Sequence, residues 1–173
     1  SRVPFPIFSF MDIYFFGADF DNDSFNLTAS WTPNSSGEFI IFCSESHIAI
    51  KLQDYLCENF SGIQNSAILY GESSILVQRA LNEGSDLTVV ICDKSSEEGL
   101  NLQGRNRTVI HFDLPLDPNR IEQRCGRLDR YGGVDFESYI VDDVSNDYSK
   151  YWTDVVIGSL EVFEKSLASL QFL

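Results

Sequence analysis

The sequence predicts an α/β domain of three layers, with a mainly parallel sheet covered by helices on both faces. Two observations carry this. Short apolar runs of buried-strand type alternate with stretches of helical period, and the joins between them are polar and rich in turn or capping residues. Strands separated by helices call for parallel pairing and crossover connections. A length of 173 residues suits one domain with a proper buried core.

Residues 1–37 stand apart. They are rich in Phe, Asp, Asn and Ser, carry Pro4, Pro6 and Pro33, and show no clean period. They read as an extension or connecting segment packed on the core. Regularity begins at Glu38. Phe39–Cys43 (FIIFC) is a buried strand, and Ser44 or Ser46 can cap a helix running to about Asn59 with Ile48, Leu52, Tyr55 and Leu56 on one face. Ala67–Tyr70 is a brief strand ending at Gly71. Ser73 or Ser74 opens a second helix through about Asn82. Leu87–Cys92 is the next strand, a polar loop follows, and Thr108–Phe112 is a further strand. Pro118 fits the first turn of a helix reaching about Arg130, which Gly132 and Gly133 end. Phe136–Val141 is a last strand. Tyr148–Leu170 reads as a long helix striped by Trp152, Val156, Leu160, Phe163 and Leu167. The expected division is an N-terminal segment 1–37, a lobe 38–145 and a C-terminal helix 146–173 packed on the lobe.

No window approaches the roughly 18 apolar residues of a membrane span. Val3–Phe16 is apolar and aromatic, but Pro4, Pro6, Asp12 and the lack of a small-residue cleavage site argue against a signal peptide. Ser1 in place of an initiator Met points to a piece of a longer chain. Cys43, Cys57, Cys92 and Cys125 form no CxxC pair and have no histidine at zinc spacing, so they read as reduced thiols of a cytoplasmic protein, with no metal site.

The net charge of −14 opposes sequence-independent binding to nucleic acid. The distribution is uneven. Residues 94–130 hold Lys94, Arg105, Arg107, Arg120, Arg124, Arg127 and Arg130 against Glu97, Glu98, Asp113, Asp117, Glu122 and Asp129. Any anionic ligand is expected to meet this segment.

In such sheets ligands gather at the carboxyl ends of the strands. Several chemistries are absent there. None of the four lysines follows a glycine, so there is no Walker A loop, and neither GxGxxG nor GxSxG occurs. Asp93 and Asp113 end strands as a Walker B acid would. Without a phosphate loop, strand-end turn acids are the simpler reading. This chain by itself is not expected to hydrolyse a nucleoside triphosphate.

On a helix, Gln123, Arg127 and Arg130 share one face with Arg120 beside them, while Ile121, Cys125 and Leu128 share the other. Gly126 lies next to the arginine row, where a glycine costs about 1 kcal/mol against alanine. A close approach by something else would justify it. Guanidiniums suit phosphate because they are planar, charged and bidentate. A solvated basic face paired with Asp117, Glu122 and Asp129 would look the same by composition.

The order of residues separates the two readings. Gln123-Arg124-x-Gly126-Arg127-x-x-Arg130 resembles the sixth motif of superfamily-two helicases. Ser95-Ser-Glu-Glu-Gly-Leu-Asn-Leu-Gln103 resembles the fifth motif in its Swi/Snf form. His111–Asn119, Glu38–Ser44 and Leu69–Ser74 resemble the connecting, opening and post-strand segments of the same lobe. Phe-Asp-Leu-Pro together with Gly-Arg-Leu-Asp-Arg is closest to the bacterial RNA-polymerase-recycling (RapA-like) branch. The resemblance covers about residues 38–141.

It implies the second RecA-like lobe of an ATP-dependent motor, with the Walker A loop on another lobe; residues 1–37 lie outside the resemblance and stay an extension or inter-lobe connection. Arg127 and Arg130 would then meet the γ-phosphate of ATP and Mg2+ held by the first lobe, with Arg130 as arginine finger, and Gln123 would order the attacking water or the motif. Glu98, Gly99 and Asn101 would form the loop coupling ATP to nucleic acid. Ser44, Gly71, Ser95, Ser96 and Arg124 would be candidate nucleic-acid contacts. Duplex DNA is the favoured track over RNA, and a larger protein complex is a further expected partner. The alternatives are a lobe of an RNA helicase and a non-catalytic RecA-like module that binds a protein. Three features depart from the family: Glu97-Glu98 is unusually acidic, Asp129-Arg130-Tyr131-Gly-Gly ends the sixth motif differently, and the region near Gln78-Arg79 looks short.

Overall fold

A computed structural model describes residues 37–60, 66–83, 86–103, 107–128, 137–140 and 147–159. The elements are β1 (Gly37–Phe42), α1 (Ser46–Phe60), β2 (Ser66–Tyr70), α2 (Ser74–Asn82), β3 (Leu87–Cys92) and α3 (Lys94–Gly99). They continue with β4 (Arg107–His111), α4 (Pro118–Leu128), β5 (Glu137–Ile140) and α5 (Asp147–Asp154), which runs into a π-helical turn at Val155–Ser159.

The five strands form one sheet in the order β2-β3-β1-β4-β5, and every pair is parallel. In register, Phe39 of β1 stands beside Val89 of β3 and Thr108 of β4. The strands are short and almost wholly apolar because both faces are covered. Their alternation sorts side chains into two cores. Phe39, Ile41, Cys43, Leu87, Val89, Ile91, Ile110 and Phe112 pack under Ile48, Ala49, Leu52 and Leu56 of α1. Ile40, Phe42, Val90, Cys92 and Val109 pack against Val77 and Leu81 of α2 and Leu128 of α4.

This division follows from the strand order. The step from β1 to β2 runs one way along the sheet, and the later steps run the other way. A single hand of crossover then puts α1 on one face and α2 and α4 on the other. The expected three-layer α/β architecture is what the structure shows.

Local chemistry sets the boundaries. Ser73 caps α2, its side chain accepting from Leu76 N at 3.4 Å. Gly71, at φ +71°, makes the turn after β2 in a conformation that a Cβ disfavours. Pro118 occupies the first turn of α4, as expected, and Asp117 Oδ1 accepts from Asn119 N at 3.0 Å just ahead of it. Trp152 of α5 and Val156 of the π-helical turn pack against Ile121 and Leu114, and Trp152 Nε1 donates to Pro115 O at 3.0 Å. The predicted stripe beyond residue 159 lies outside the described residues, as does most of the segment 1–37.

Two expectations are corrected. The polar segment after Cys92 contains a helix, α3, whose N-cap is Asp93. The buried face of α4 is Ile121, Arg124 and Leu128, with Cys125 only half-buried. Both stripes obey helical spacing, and period alone does not choose between them. Of the four cysteines, Cys43 and Cys92 are buried and Cys57 is exposed. Burial pushes the Cys43 and Cys92 thiols well above their ordinary range, which keeps them protonated and inert.

Candidate nucleotide-facing helix and its buried ion cluster

The carboxyl ends of β1, β3 and β4 deliver Ser44, Asp93 and Asp113 to one edge of the sheet. α3 and α4 close over that edge and supply Glu97, Arg120 and Arg124. Asp113 Oδ1 accepts from Ser44 N at 2.6 Å, tying the ends of β1 and β4 together. Arg124 is 0% exposed, and Glu97 beside it is 2% exposed. Arg124 Nε donates to Glu97 Oε1 at 2.7 Å, and its Nη1 donates to Asp113 O at 2.8 Å. Its Nη2 reaches Ser44 Oγ at 3.5 Å and stands 3.7 Å from Asp113 Oδ1. The guanidinium carbon lies 5.3 Å from the centroid of Phe42, which stacks on His111 at 5.7 Å. Arg120 grips the same carboxylate from the other side, Nε to Oε2 and Nη2 to Oε1, each at 3.1 Å.

This environment biases the ionisable groups. Burial holds the His111 imidazole down at about 3, and the nearby Arg124 charge adds to the effect, so the ring is neutral. Burial also lifts the Asp113 carboxyl above its ordinary range, only partly offset by its hydrogen bonds with Ser44 and by Arg124 and Arg120. Asp93 goes the other way. Burial opposes its charge, yet hydrogen bonds from Ser95, Tyr70 and Ser96 hold it below the ordinary range. Its Oδ1 accepts from Ser95 N and Ser96 N, both at 3.0 Å, and from the two hydroxyls at 2.6 and 3.0 Å, while Oδ2 accepts from Tyr70 at 2.9 Å. Both strand-end acids thus spend their oxygens on hydrogen bonds within the domain.

The predicted site residues fall into three groups. The first is presented outward. Gln123 and Gly126 are exposed and Arg127 is half-buried, all on the side of α4 away from the sheet. A Cβ at Gly126 would meet nothing within 4 Å, so no part of the described chain requires the glycine. Whatever approaches there comes from elsewhere. Gly71, Gly99 and Asn101 are also exposed. Leu100 and Leu102 anchor the Asn101 segment in the core, and Asn101 O accepts from Gln78 Nε2.

The second group is drawn inward. Arg124, expected to face nucleic acid, is instead locked in the interior by Glu97 and Asp113. Ser44 is engaged with Asp113, Arg120 and Arg124. Ser95 stays exposed and Ser96 half-buried, and both hydroxyls donate to Asp93 Oδ1. The third group lies outside the described residues: Arg130 and the side chain of Glu98.

Arg107 is also withdrawn from the basic segment. It is 5% exposed at the opposite edge of the sheet, where Nε donates to Glu38 Oε2 at 2.6 Å and Nη1 to Leu102 O at 2.6 Å. Of the five basic side chains of residues 94–130 that are described, Arg107, Arg120 and Arg124 are thus engaged internally. Sequence reasoning missed Glu97 as the buried ion partner of Arg120 and Arg124. Its only signal was the excess acidity of the fifth motif.

Residues 25–132 match the family model of the helicase conserved C-terminal domain, and the match takes in the last part of the segment 1–37. The RNA polymerase-associated protein RapA of Proteus mirabilis (strain HI4320) is 34% identical over 105 residues, which are 58% of this chain and 11% of that protein. RapA of Erwinia tasmaniensis is 35% identical over 107 residues, 60% of this chain and 11% of that protein. The matched segment is thus a small part of these relatives. Among solved structures, the C-terminal domain of the DEAD-box protein Dbp5 superposes with a TM-score of 0.49 at 20% identity, covering 70% of this chain and 68% of that one. With the family match spanning more than half of its length, the chain belongs to the helicase conserved C-terminal domain family.

Proposed function

We propose that this chain is the second lobe of an ATP-dependent translocase on duplex DNA, and that it supplies Gln123, Arg127 and Arg130 to ATP and Mg2+ held by a first lobe. The observation that carries the reading is the division of α4. Ile121, Arg124 and Leu128 fasten it to the domain, and Gln123, Gly126 and Arg127 are left open on its outer side. A helix so divided presents a guanidinium and a glycine-smoothed surface to a second body.

The chemistry fits that arrangement. In phosphoryl transfer the charge on the transferred and leaving oxygens must be neutralised, and an arginine delivered across an interface contributes roughly 10³–10⁵ in rate. The absence of a Walker A sequence in this chain then makes sense, because the phosphates are cradled elsewhere. Splitting the site makes hydrolysis depend on closure of the two lobes, which couples chemistry to movement. Gly99 and Asn101, exposed between the buried Leu100 and Leu102, are the positions from which DNA occupancy is sensed, together with Glu98. Gly71 offers a second exposed backbone approach. The RapA relatives are named for association with RNA polymerase, and a transcription complex is the partner we propose for the parent chain.

The test is ATP turnover by the full-length protein with and without duplex DNA, beside Arg130→Ala. Turnover stimulated by duplex and lost in the variant is the expected result. Turnover indifferent to both the DNA and the substitution would refute the reading in favour of a non-catalytic module. Stronger stimulation by single-stranded RNA than by duplex would reassign the track.

A further inference from the structure

We propose that Glu97 is a positioning residue that sets the orientation of α4 through Arg120 and Arg124, and so aims Gln123 and Arg127. The proposal rests on the lobe reading above. Glu97 comes from α3, whereas Arg120 and Arg124 come from successive turns of α4. One carboxylate accepts three hydrogen bonds: Oε1 from Arg124 Nε at 2.7 Å and Arg120 Nη2 at 3.1 Å, and Oε2 from Arg120 Nε at 3.1 Å. Gripping positions i and i+4 of a helix fixes its rotation about its own axis as well as its distance from α3. Gln123 and Arg127 lie on the same two turns, so any rotation of α4 moves them.

The choice of charges points to geometry rather than stability. A buried ion pair contributes little beyond a well-packed apolar replacement, because desolvation offsets the attraction. What it adds is direction, since a guanidinium on a carboxylate has a fixed planar geometry. The cluster also has a link on its far side. α3 leads directly into Gly99 and Asn101, and Leu100 N donates to Ser96 O at 3.3 Å. A displacement of that segment reaches α4 through the Glu97 carboxylate.

The experiment uses the full-length protein carrying Glu97→Gln, which keeps the shape and removes the charge. Amide exchange and ATP kinetics are read together. We expect faster exchange across residues 118–128, with β1 and β3 still protected. We expect kcat to fall by about 10²-fold, the scale of a misplaced catalytic group, with KM for ATP little changed. Glu97→Gln combined with Arg120→Gln restores the charge balance but not the grip. In that variant part of the melting temperature returns, because one guanidinium no longer faces the other without a carboxylate between them, and kcat stays low. A wild-type kcat in Glu97→Gln with α4 still protected would overturn the proposal, as would a kcat that recovers with the melting temperature in the double variant. Wild-type protein without nucleic-acid-stimulated turnover would overturn the lobe reading and this proposal together. An active wild type beside an unaffected Glu97→Gln variant overturns this proposal alone.

Discussion

Arg124 is a charged side chain with no exposed surface, and its neighbours explain how that is tolerated. Glu97 neutralises it, Asp113 O takes a second hydrogen bond, and Phe42 offers a ring face. Removing one partner of such a set leaves an uncompensated buried charge, which costs about 3–5 kcal/mol. Glu97→Ala, which strands the Arg124 charge, is therefore expected to lose about that much in urea unfolding, whereas Arg127→Ala, on the outer side, stays within roughly 0.5 kcal/mol of wild type. Helical period made Ile121 and Leu128 legible as core but placed Cys125 between them. Hydropathy gives no reason to bury an arginine until its acid partner from another element is known, and Glu97 lies 27 residues away.

His111 yields a pH prediction. Its folded value of about 3 lies below the ordinary 6.5, so the unfolded chain binds a proton in that window that the folded chain refuses. Stability is unaffected above about pH 6.5 and declines as pH falls toward 3. The depressed Asp93 carboxyl acts in the same sense, its stabilisation being lost as pH falls through its lowered value, while the raised Asp113 carboxyl partly opposes it. In His111→Gln, the slope of unfolding free energy against pH between 6.5 and 3 is expected to shrink by up to about one proton. An unchanged slope would show that His111 is not the titrating group.

Among the elements, α3 shows why part of the site escaped the sequence. Its six residues are too few for an apolar stripe, and its reason for existing is Asp93. Four donors from Ser95 and Ser96 converge on one oxygen of that carboxylate. Asp93→Ala is expected to cost about 0.5–2 kcal/mol, the scale of a lost cap, and to speed amide exchange in residues 94–99 ahead of the sheet. The longer elements were legible because each has either a continuous apolar run or a capped stripe. FIIFC and LTVVIC coincide with β1 and β3 to within a residue or two. α5 braces α4 by the apolar contact of Trp152 with Ile121 and holds the segment before it by the Trp152–Pro115 hydrogen bond. Trp152→Phe keeps an aromatic side chain but removes the donor and half of the indole, so a loss of about 1–3 kcal/mol is expected on chemical denaturation.

At the scale of the whole molecule, charge and architecture pull in different directions. A chain at −14 repels phosphate, and Arg107, Arg120 and Arg124 are turned inward. The isolated chain is accordingly expected to bind duplex DNA weakly in a fluorescence titration, with a shallow salt dependence reflecting few phosphate contacts. A steep salt slope would mean that basic side chains beyond those seen outside the core reach the backbone. The architecture nonetheless assembles a charged edge: a parallel sheet brings three strand ends together, two helices close over them, and one helix keeps an open side. Arg127 alone of the two proposed γ-phosphate contacts lies within the described residues, and it carries the account.

The most direct measurement is therefore the DNA-stimulated kcat of full-length Arg127→Ala beside its melting temperature. The account predicts a fall of roughly 10³-fold or more, at an unchanged melting temperature. Wild-type turnover in the folded variant, or a loss that merely follows unfolding, would contradict the assignment of the outer side of α4 to the nucleotide.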